Sequence, residues 1–169
     1  MELQSPQCTV RTLRRDDARS LSRHGNNRKV WINMRDRFPH PYTEAAGEEY
    51  IAHALSNDLP SYAIDVGGVA IGGIHLTVGT DIDRICAELG YWLGEEFWGR
   101  GIVTAAIKLV TPHALTTLGL VRVFAIPFAD NAASCRALEK AGYAKEALMR
   151  RSAIKDGVIR DQYLYAIYR

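Results

Sequence analysis

Ala87-Glu88-Leu89-Gly90-Tyr91-Trp92-Leu93-Gly94-Glu95-Glu96-Phe97-Trp98-Gly99-Arg100-Gly101-Ile102-Val103-Thr104-Ala105-Ala106 is the stretch whose reading decides the fold. Leu89, Tyr91 and Leu93 alternate with Glu88, Gly90 and Trp92, the period of a strand. After the acidic pair Glu95 and Glu96 comes a glycine-rich turn, Trp98-Gly99-Arg100-Gly101. From Ile102 the pattern is helical, with Ile102, Ala105, Ala106, Leu109 and Val110 on one apolar face. Such a turn exposes backbone N–H groups, and the helix dipole adds partial positive charge where they converge. The stretch therefore reads as an anion cradle suited to a pyrophosphate.

Working outward, 169 residues predict a single domain over residues 1–169, long enough to bury a core without disulfide or metal staples. A net charge of +2 lacks the basic excess of a dedicated nucleic-acid binder. No apolar run is long enough to span a bilayer, so no membrane association is expected. The first residues, Met1 to Asp17, lack the apolar stretch of a signal peptide. Cys8, Cys86 and Cys135 are scattered, with no metal-type spacing, and a reducing, cytoplasmic setting fits them. His24, His40, His53, His75 and His113 show no mutual spacing for a metal site, so no metal is expected.

On the N-terminal side, Cys8 to Leu13 reads as a first strand, and Arg15-Asp16-Asp17 introduces a short helix over Ala18–Arg23. Val30 to Met34 reads as a further helical turn. Phe38-Pro39-His40-Pro41-Tyr42 is too proline-rich for regular structure. Thr43 caps a helix carrying Tyr50, Ile51, Ala54 and Leu55 at helical spacing. Ser61–Val66 and Val69–Val78 form a hairpin about Gly67-Gly68, and Gly72-Gly73 marks a bulge or a close backbone approach.

Asp81-Ile82-Asp83 turns the chain into a strand over Ile85–Leu93. The helix after the glycines is predicted over Ile102–Leu118, kinked or shortened at Pro112 and stopped by Gly119. Leu120–Ile126 reads as a short apolar strand buried in the sheet. Asn131 opens a helix that ends at Ala141-Gly142, and Ala144–Ile154 pairs with Val158–Tyr168 around Lys155-Asp156-Gly157. The order predicts an α+β or mixed α/β arrangement around one sheet.

Three segments carry a family likeness. Glu96-x-x-Gly99-x-Gly101 resembles the acetyl-CoA signature of the GCN5-related N-acetyltransferases (GNAT), usually Gln/Arg-x-x-Gly-x-Gly/Ala. Asn131-Ala132-Ala133-Ser134, running on to Leu138-Glu139-Lys140-Ala141-Gly142-Tyr143, resembles that family's following helix. Asp156-Gly157-x-x-x-Asp161 before Tyr163–Tyr168, and Phe38-Pro39-His40-Pro41-Tyr42-Thr43, are similar to the RimJ/RimL-like branch that acetylates ribosomal-protein N-termini. The likeness covers nearly the whole chain in the right order. Glu96 departs from it, standing where the family carries Gln or Arg.

The resemblance implies a GNAT-type fold: a mixed, mostly antiparallel sheet flanked by helices, with Ile85–Leu93 and Leu120–Ile126 as a splayed parallel pair. It implies acetyl-CoA as co-substrate, its pantetheine beside Trp92 and Leu93. The pyrophosphate would lie on the N–H groups of Trp98, Gly99, Arg100, Gly101, Ile102 and Val103, with Thr104 as a hydroxyl donor. Glu88 would be the base for the acceptor amine, acting through a water, against the plainer reading of a carboxylate paired with a neighbouring arginine. Asn131 and Ser134, one helical turn apart, would face the thiol, against the plainer reading of an N-cap and an exposed serine. Leu138 occupies the place of the tyrosine acid found in many members, which points to the arrangement in which a serine serves the CoA sulfur. Trp31, Arg35, Phe38 and Tyr42 would shape the acceptor pocket, with packing as the rival for each aromatic.

The implied activity is acetyl transfer to a primary amine, a protein N-terminal α-amine or a small molecule, by direct attack in a ternary complex; a monomer or homodimer fits equally. A non-catalytic acyl-CoA-binding or sensing module is the rival of another class. A dinucleotide reading fails because Thr104 replaces the third glycine and the following strand lacks a ribose-binding acid. A nucleotide-hydrolase loop fails because no Gly-Lys-Ser/Thr follows the turn.

Overall fold

The computed structural model describes residues 1–169. Eight strands form one sheet: β1 (Glu2–Gln4), β2 (Thr9–Thr12), β3 (Ser61–Val66), β4 (Val69–Val78), β5 (Cys86–Leu93), β6 (Arg122–Ala125), β7 (Ala144–Lys155) and β8 (Val158–Tyr168). Their spatial order is β1-β2-β3-β4-β5-β6-β8-β7, and only β5 and β6 run parallel. The helices are α1 (Ala18–Gly25), α2 (Arg28–Trp31), α3 (Glu44–Ser56), α4 (Ile102–Thr116) and α5 (Ala132–Lys140). No helix is long and apolar enough to cross a membrane.

The alternation read in β5 sorts its side chains between two cores. Ala87, Leu89 and Leu93 enter the larger core with Ile107 and Val110 of α4 and Leu138 of α5. Trp92 faces the other way, onto Phe38 and Tyr42 and toward the core of α1 and α3, where Leu21, Ile51 and Ala54 meet. Each fully buried Leu, Ile or Val contributes on the order of 1.5–3 kcal/mol by leaving water. A sheet between two helical layers satisfies both apolar faces at once.

The β3–β4 hairpin has the bounds read from sequence, with Gly67 and Gly68 at φ 64° and 87°. The register slips so that Ile71, just before Gly72, is the extra residue of a bulge. Other elements depart from expectation. β1 was not legible, and β6 is shorter than the Leu120–Ile126 strand and starts on Arg122, whose guanidinium bonds Glu146. α4 passes through Pro112 to Thr116 rather than ending early, and the Thr116 hydroxyl donates to the Pro112 carbonyl at 2.8 Å.

A buried ion cluster fastens the N-terminal half. Arg11 Nε bonds Asp65 Oδ2, and its two Nη atoms bond both oxygens of Asp17, all at 2.8 Å. Asp17 also accepts the Arg14 N–H, and Asp65 the Gly68 N–H, each at 2.8 Å. One guanidinium thus joins β2, β3, the hairpin turn and the start of α1. The two carboxylates push the Arg11 pKa further up, opposed by burial.

Between β4 and β5, His75 stands opposite Gly90. A Cβ at Gly90 would come within 2.4 Å of the imidazole, so the absent side chain is what lets the ring lie on the sheet. Burial, then Arg37, pushes the His75 pKa down to about 4, with Glu88 opposing.

Two outcomes are expected. Asp17→Ala takes from a buried guanidinium the carboxylate that holds both its Nη atoms, leaving Asp65 at Nε as its one carboxylate, and lowers the unfolding free energy by about 3 kcal/mol, measured by urea denaturation. His75 is neutral when folded, with a pKa below its unfolded value, so its stabilisation is complete above about pH 6.5 and is lost as pH falls toward 4. Stability should fall by up to about 1.4 kcal/mol per pH unit from this group in that window. His75→Gln should flatten that dependence in urea titrations at pH 7 and pH 4.5; an unchanged slope would exclude His75 as its source.

Candidate active site

β5 and β6 stay paired only over Cys86–Glu88 and Arg122–Phe124. Beyond Glu88 the end of β5 has no strand on that side. The bonds Gly79 N–H to Cys86 O and Gly94 N–H to Ile71 O, both 2.9 Å, set the parity of the β4–β5 ladder. By the alternation of antiparallel pairing, backbone groups of Glu88, Gly90 and Trp92 point toward β4, and those of Leu89, Tyr91 and Leu93 point into the opening. The Trp98 indole N–H takes the Leu93 carbonyl at 2.8 Å. This corrects the assignment of Trp92 to the pantetheine: its backbone is on the β4 side, and Tyr91 with Leu93 presents the open edge.

The glycine turn arrives where that edge ends. Gly99 and Gly101 have φ of 76° and 75°, a left-handed conformation that side chains disfavour, and open space surrounds both Cα atoms. The first intrahelical bond of α4 is Ala105 N–H to Gly101 O at 3.0 Å, so the N–H groups of Ile102, Val103 and Thr104 lie ahead of the ladder. Together with Gly99, Arg100 and Gly101 they form a concave donor set at a dipole's positive end. Trp98 does not belong to it, because its N–H bonds the Glu95 carbonyl at 3.1 Å. The Arg100 side chain folds back, donating to the Glu96 carbonyl at 2.8 Å with its guanidinium 5.4 Å from the Phe97 ring centre.

Glu96 has a partner that the sequence did not disclose. Its carboxylate lies 3.0 Å from His24 Nδ1, on a histidine held under the turn against Phe97. Burial lowers the His24 pKa, and Glu96 opposes the shift. Glu95 is held likewise, by Asn27 at 2.8 Å and by Lys29, which lower its pKa. The acidic pair fastens the turn to the α1–α2 segment.

The two residues assigned to the chemistry lie on opposite faces of the opening. Glu88 is half-buried and paired with Arg35. Ser134 is at the start of α5, its Oγ 2.7 Å from Tyr91 Oη. Asn131 is the N-cap of α5, its side chain accepting the Ser134 N–H at 3.2 Å. The cap engages the carbonyl oxygen and leaves the carboxamide N–H groups free to donate. Leu138 is buried in the core.

On the Glu88 side, a cavity of about 230 Å³ is lined by Met34, Arg35, Ile126, Phe128, Lys155 and Gln162 among others. Of the four residues expected to shape an acceptor pocket, Trp31, Arg35, Phe38 and Tyr42, Arg35 lines this cavity. Phe38 and Tyr42 are buried, packing against Trp92 with ring centres at 5.3 and 6.1 Å, and burial lifts the Tyr42 pKa to about 12. Trp31 stacks on His40 and carries the Lys155 ammonium 3.8 Å from its ring centre. Packing thus accounts for these three rings.

Sequence reasoning missed Tyr91, Lys155 and Arg160. Lys155 is buried and donates to Asp36 at 2.9 Å. Arg160 donates to the Ile32 carbonyl at 2.8 Å, pairs with Asp130 and lies over Phe128. Tyr91 was within reach, since strand parity alone puts it on the face of Leu89 and Leu93; the two cations needed the fold.

Residues 7–144 match the family model described as Acetyltransferase (GNAT) domain. The chain is 36% identical over 83 residues to the uncharacterized N-acetyltransferase YoaA of Bacillus subtilis, a match spanning 49% of this chain and about half (47%) of that relative's length. It is 26% identical over 166 residues to the spermidine N(1)-acetyltransferase of Escherichia coli, covering 92% of this chain and 87% of that one. Its fold superposes on Mycobacterium smegmatis RimJ, solved in complex with CoA-disulfide, with a TM-score of 0.85 at 24% identity over 99% of this chain and 86% of that one. With the model spanning most of the chain, the protein belongs to the GNAT acetyltransferase family.

Proposed function

We propose that residues 1–169 act as one acetyl-CoA-dependent N-acetyltransferase unit whose acceptor is a primary amine, with a protein N-terminal α-amine as the preferred class. The observation that carries the reading is the opening beyond Glu88 and Phe124, with the donor set of α4 at its mouth and Glu88 and Ser134 on its two faces. Acetyl-CoA supplies an acetyl group activated as a thioester. The N–H groups from Gly99 to Thr104 hold its pyrophosphate, and Tyr91 and Leu93 pair with the pantetheine as a strand would. Gly99 and Gly101 allow that fit, because the space beside each Cα is clear.

Glu88 takes the proton of the attacking amine through a water, and Ser134 donates a hydrogen bond to the sulfur as the C–S bond breaks. The carboxylate is paired with Arg35, so the entering acceptor displaces or shares that guanidinium. The free N–H groups of Asn131 lie at the same end of α5 and add polarity beside the sulfur.

The charges at the mouth favour an acceptor with a single cationic centre. Glu88 is matched by Arg35, Asp36 by Lys155 and Asp130 by Arg160. A polyamine would find each carboxylate already neutralised and would meet Arg37 beside His75 as well. In a thiol-release assay, peptides with free N-termini should turn over at least about ten-fold faster in kcat/KM than spermidine; the reverse order would overturn the acceptor class. Thermal stabilisation by acetyl-CoA with no thiol release from any amine would leave only a binding module.

Glu88→Gln and Ser134→Ala should each lower kcat, by about a hundred-fold for the base, while acetyl-CoA affinity measured by calorimetry stays within two-fold or so. Wild-type rates in both variants would remove the assigned roles.

A further inference from the structure

Tyr91 sits on the part of β5 that outruns β6, on the face shared with α4 and α5. Its Oη lies 2.7 Å from Ser134 Oγ and 3.5 Å from the Ser134 carbonyl oxygen. Acidity and distance favour one direction for the short bond. A phenol is a stronger acid than an aliphatic alcohol, so it is the better donor of the pair. The Ser134 carbonyl competes for the same single proton, but at 3.5 Å against 2.7 Å it is the weaker acceptor. Burial raises the Tyr91 pKa well above the ordinary phenol value, so the hydroxyl keeps its proton. The serine backbone is fixed as well, because its N–H is held by the Asn131 cap.

We propose that Tyr91 is a positioning residue for the leaving thiol: it donates to Ser134 Oγ, and the serine proton is thereby left free to point at the sulfur. The inference rests on the role of Ser134 given above and adds the group that orients it. Without Tyr91, the Ser134 hydroxyl can turn its proton to other acceptors, the backbone carbonyls of its own helix among them. The position one turn further along α5 cannot supply a phenol, since Leu138 is there and is buried.

The balance of the step needs no proton to cross the pair. The amine nitrogen forms the new C–N bond, the C–S bond breaks, and its electron pair stays on sulfur. The amine proton leaves through Glu88. Ser134 keeps its O–H bond and stabilises the sulfur charge by hydrogen bonding, made stronger because its own oxygen accepts from Tyr91. The thiolate takes its proton from solvent on release.

Tyr91→Phe, Ser134→Ala and the double variant test this by steady-state kinetics, with KM for acetyl-CoA, calorimetric affinity and thermal midpoints measured alongside. Tyr91→Phe should lower kcat about ten-fold and leave KM for acetyl-CoA and the affinity near wild type. The double variant should be no slower than Ser134→Ala, because the phenol acts only through the serine. Deficits that multiply, or a Tyr91→Phe enzyme with wild-type kcat while Ser134→Ala is slow, would overturn the inference and leave the serine assignment standing. A wild-type kcat for Ser134→Ala would remove the serine role and the inference with it. Should Tyr91→Phe lower the thermal midpoint and the affinity together with kcat, the ring is structural and the inference also falls.

Discussion

Everything in this fold depends on a parallel strand pair that is allowed to be short. An antiparallel sheet can be stitched by tight turns, but parallel neighbours need a crossover, and here the crossover is α4 packed over the sheet. That requirement puts a helix N-terminus directly after β5. Because the ladder stops at Glu88 and Phe124, the same β5 also offers an unpaired backbone edge a few residues before that helix begins. The donor set and the open edge are therefore two results of one topological constraint. The side chains of Glu88 and Ser134 fall on opposite faces because β5 alternates while α5 lies on one side only.

The N-terminal half holds the turn steady from below. His24, Asn27 and Lys29 reach the paired acids Glu95 and Glu96, and α1 is itself fixed to the sheet through the Arg11 cluster. Exposed pairs of this kind contribute little singly. Their value here is geometric, since together they set where the glycines deliver their N–H groups. This also accounts for the acid at the position where relatives by motif carry Gln or Arg: Glu96 faces a histidine, and the backbone does the anion holding.

Local signals made much of this legible in the sequence. The β3–β4 and β7–β8 hairpins announce themselves through Gly67-Gly68 and Asp156-Gly157, and α3 and α5 through the caps Thr43 and Asn131. β1 carries no such signal; it is three residues long and exists because β2 offers it an edge. Pro112 does not end α4, which is held by packing on both sides of it. Within the site, Gly99 and Gly101 could be named from their place between a strand and a helix, and Glu88 and Ser134 only through the family resemblance. Phe38 and Tyr42 could not be told from pocket residues, because an aromatic beside a proline reads the same whether it lines a cavity or fills a core. Lys155 and Arg160 lie over a hundred residues from the α2 segment they bind, and no local pattern reports such a pairing.

The far margin of the sheet has a consequence of its own. β7 is an edge strand of 12 residues, and most of them are exposed. A straight edge of that length would be a template on which another chain could extend the sheet. Its register breaks between Met149 and Ala153, Arg151 takes a left-handed φ of 50°, and its N–H turns inward to Asp161 at 2.8 Å. The break twists the strand and sets Arg150 and Arg151 along it, so incoming strands meet a bent, cationic border. The fold that leaves one strand edge open in its interior thus keeps its outer edge closed to aggregation.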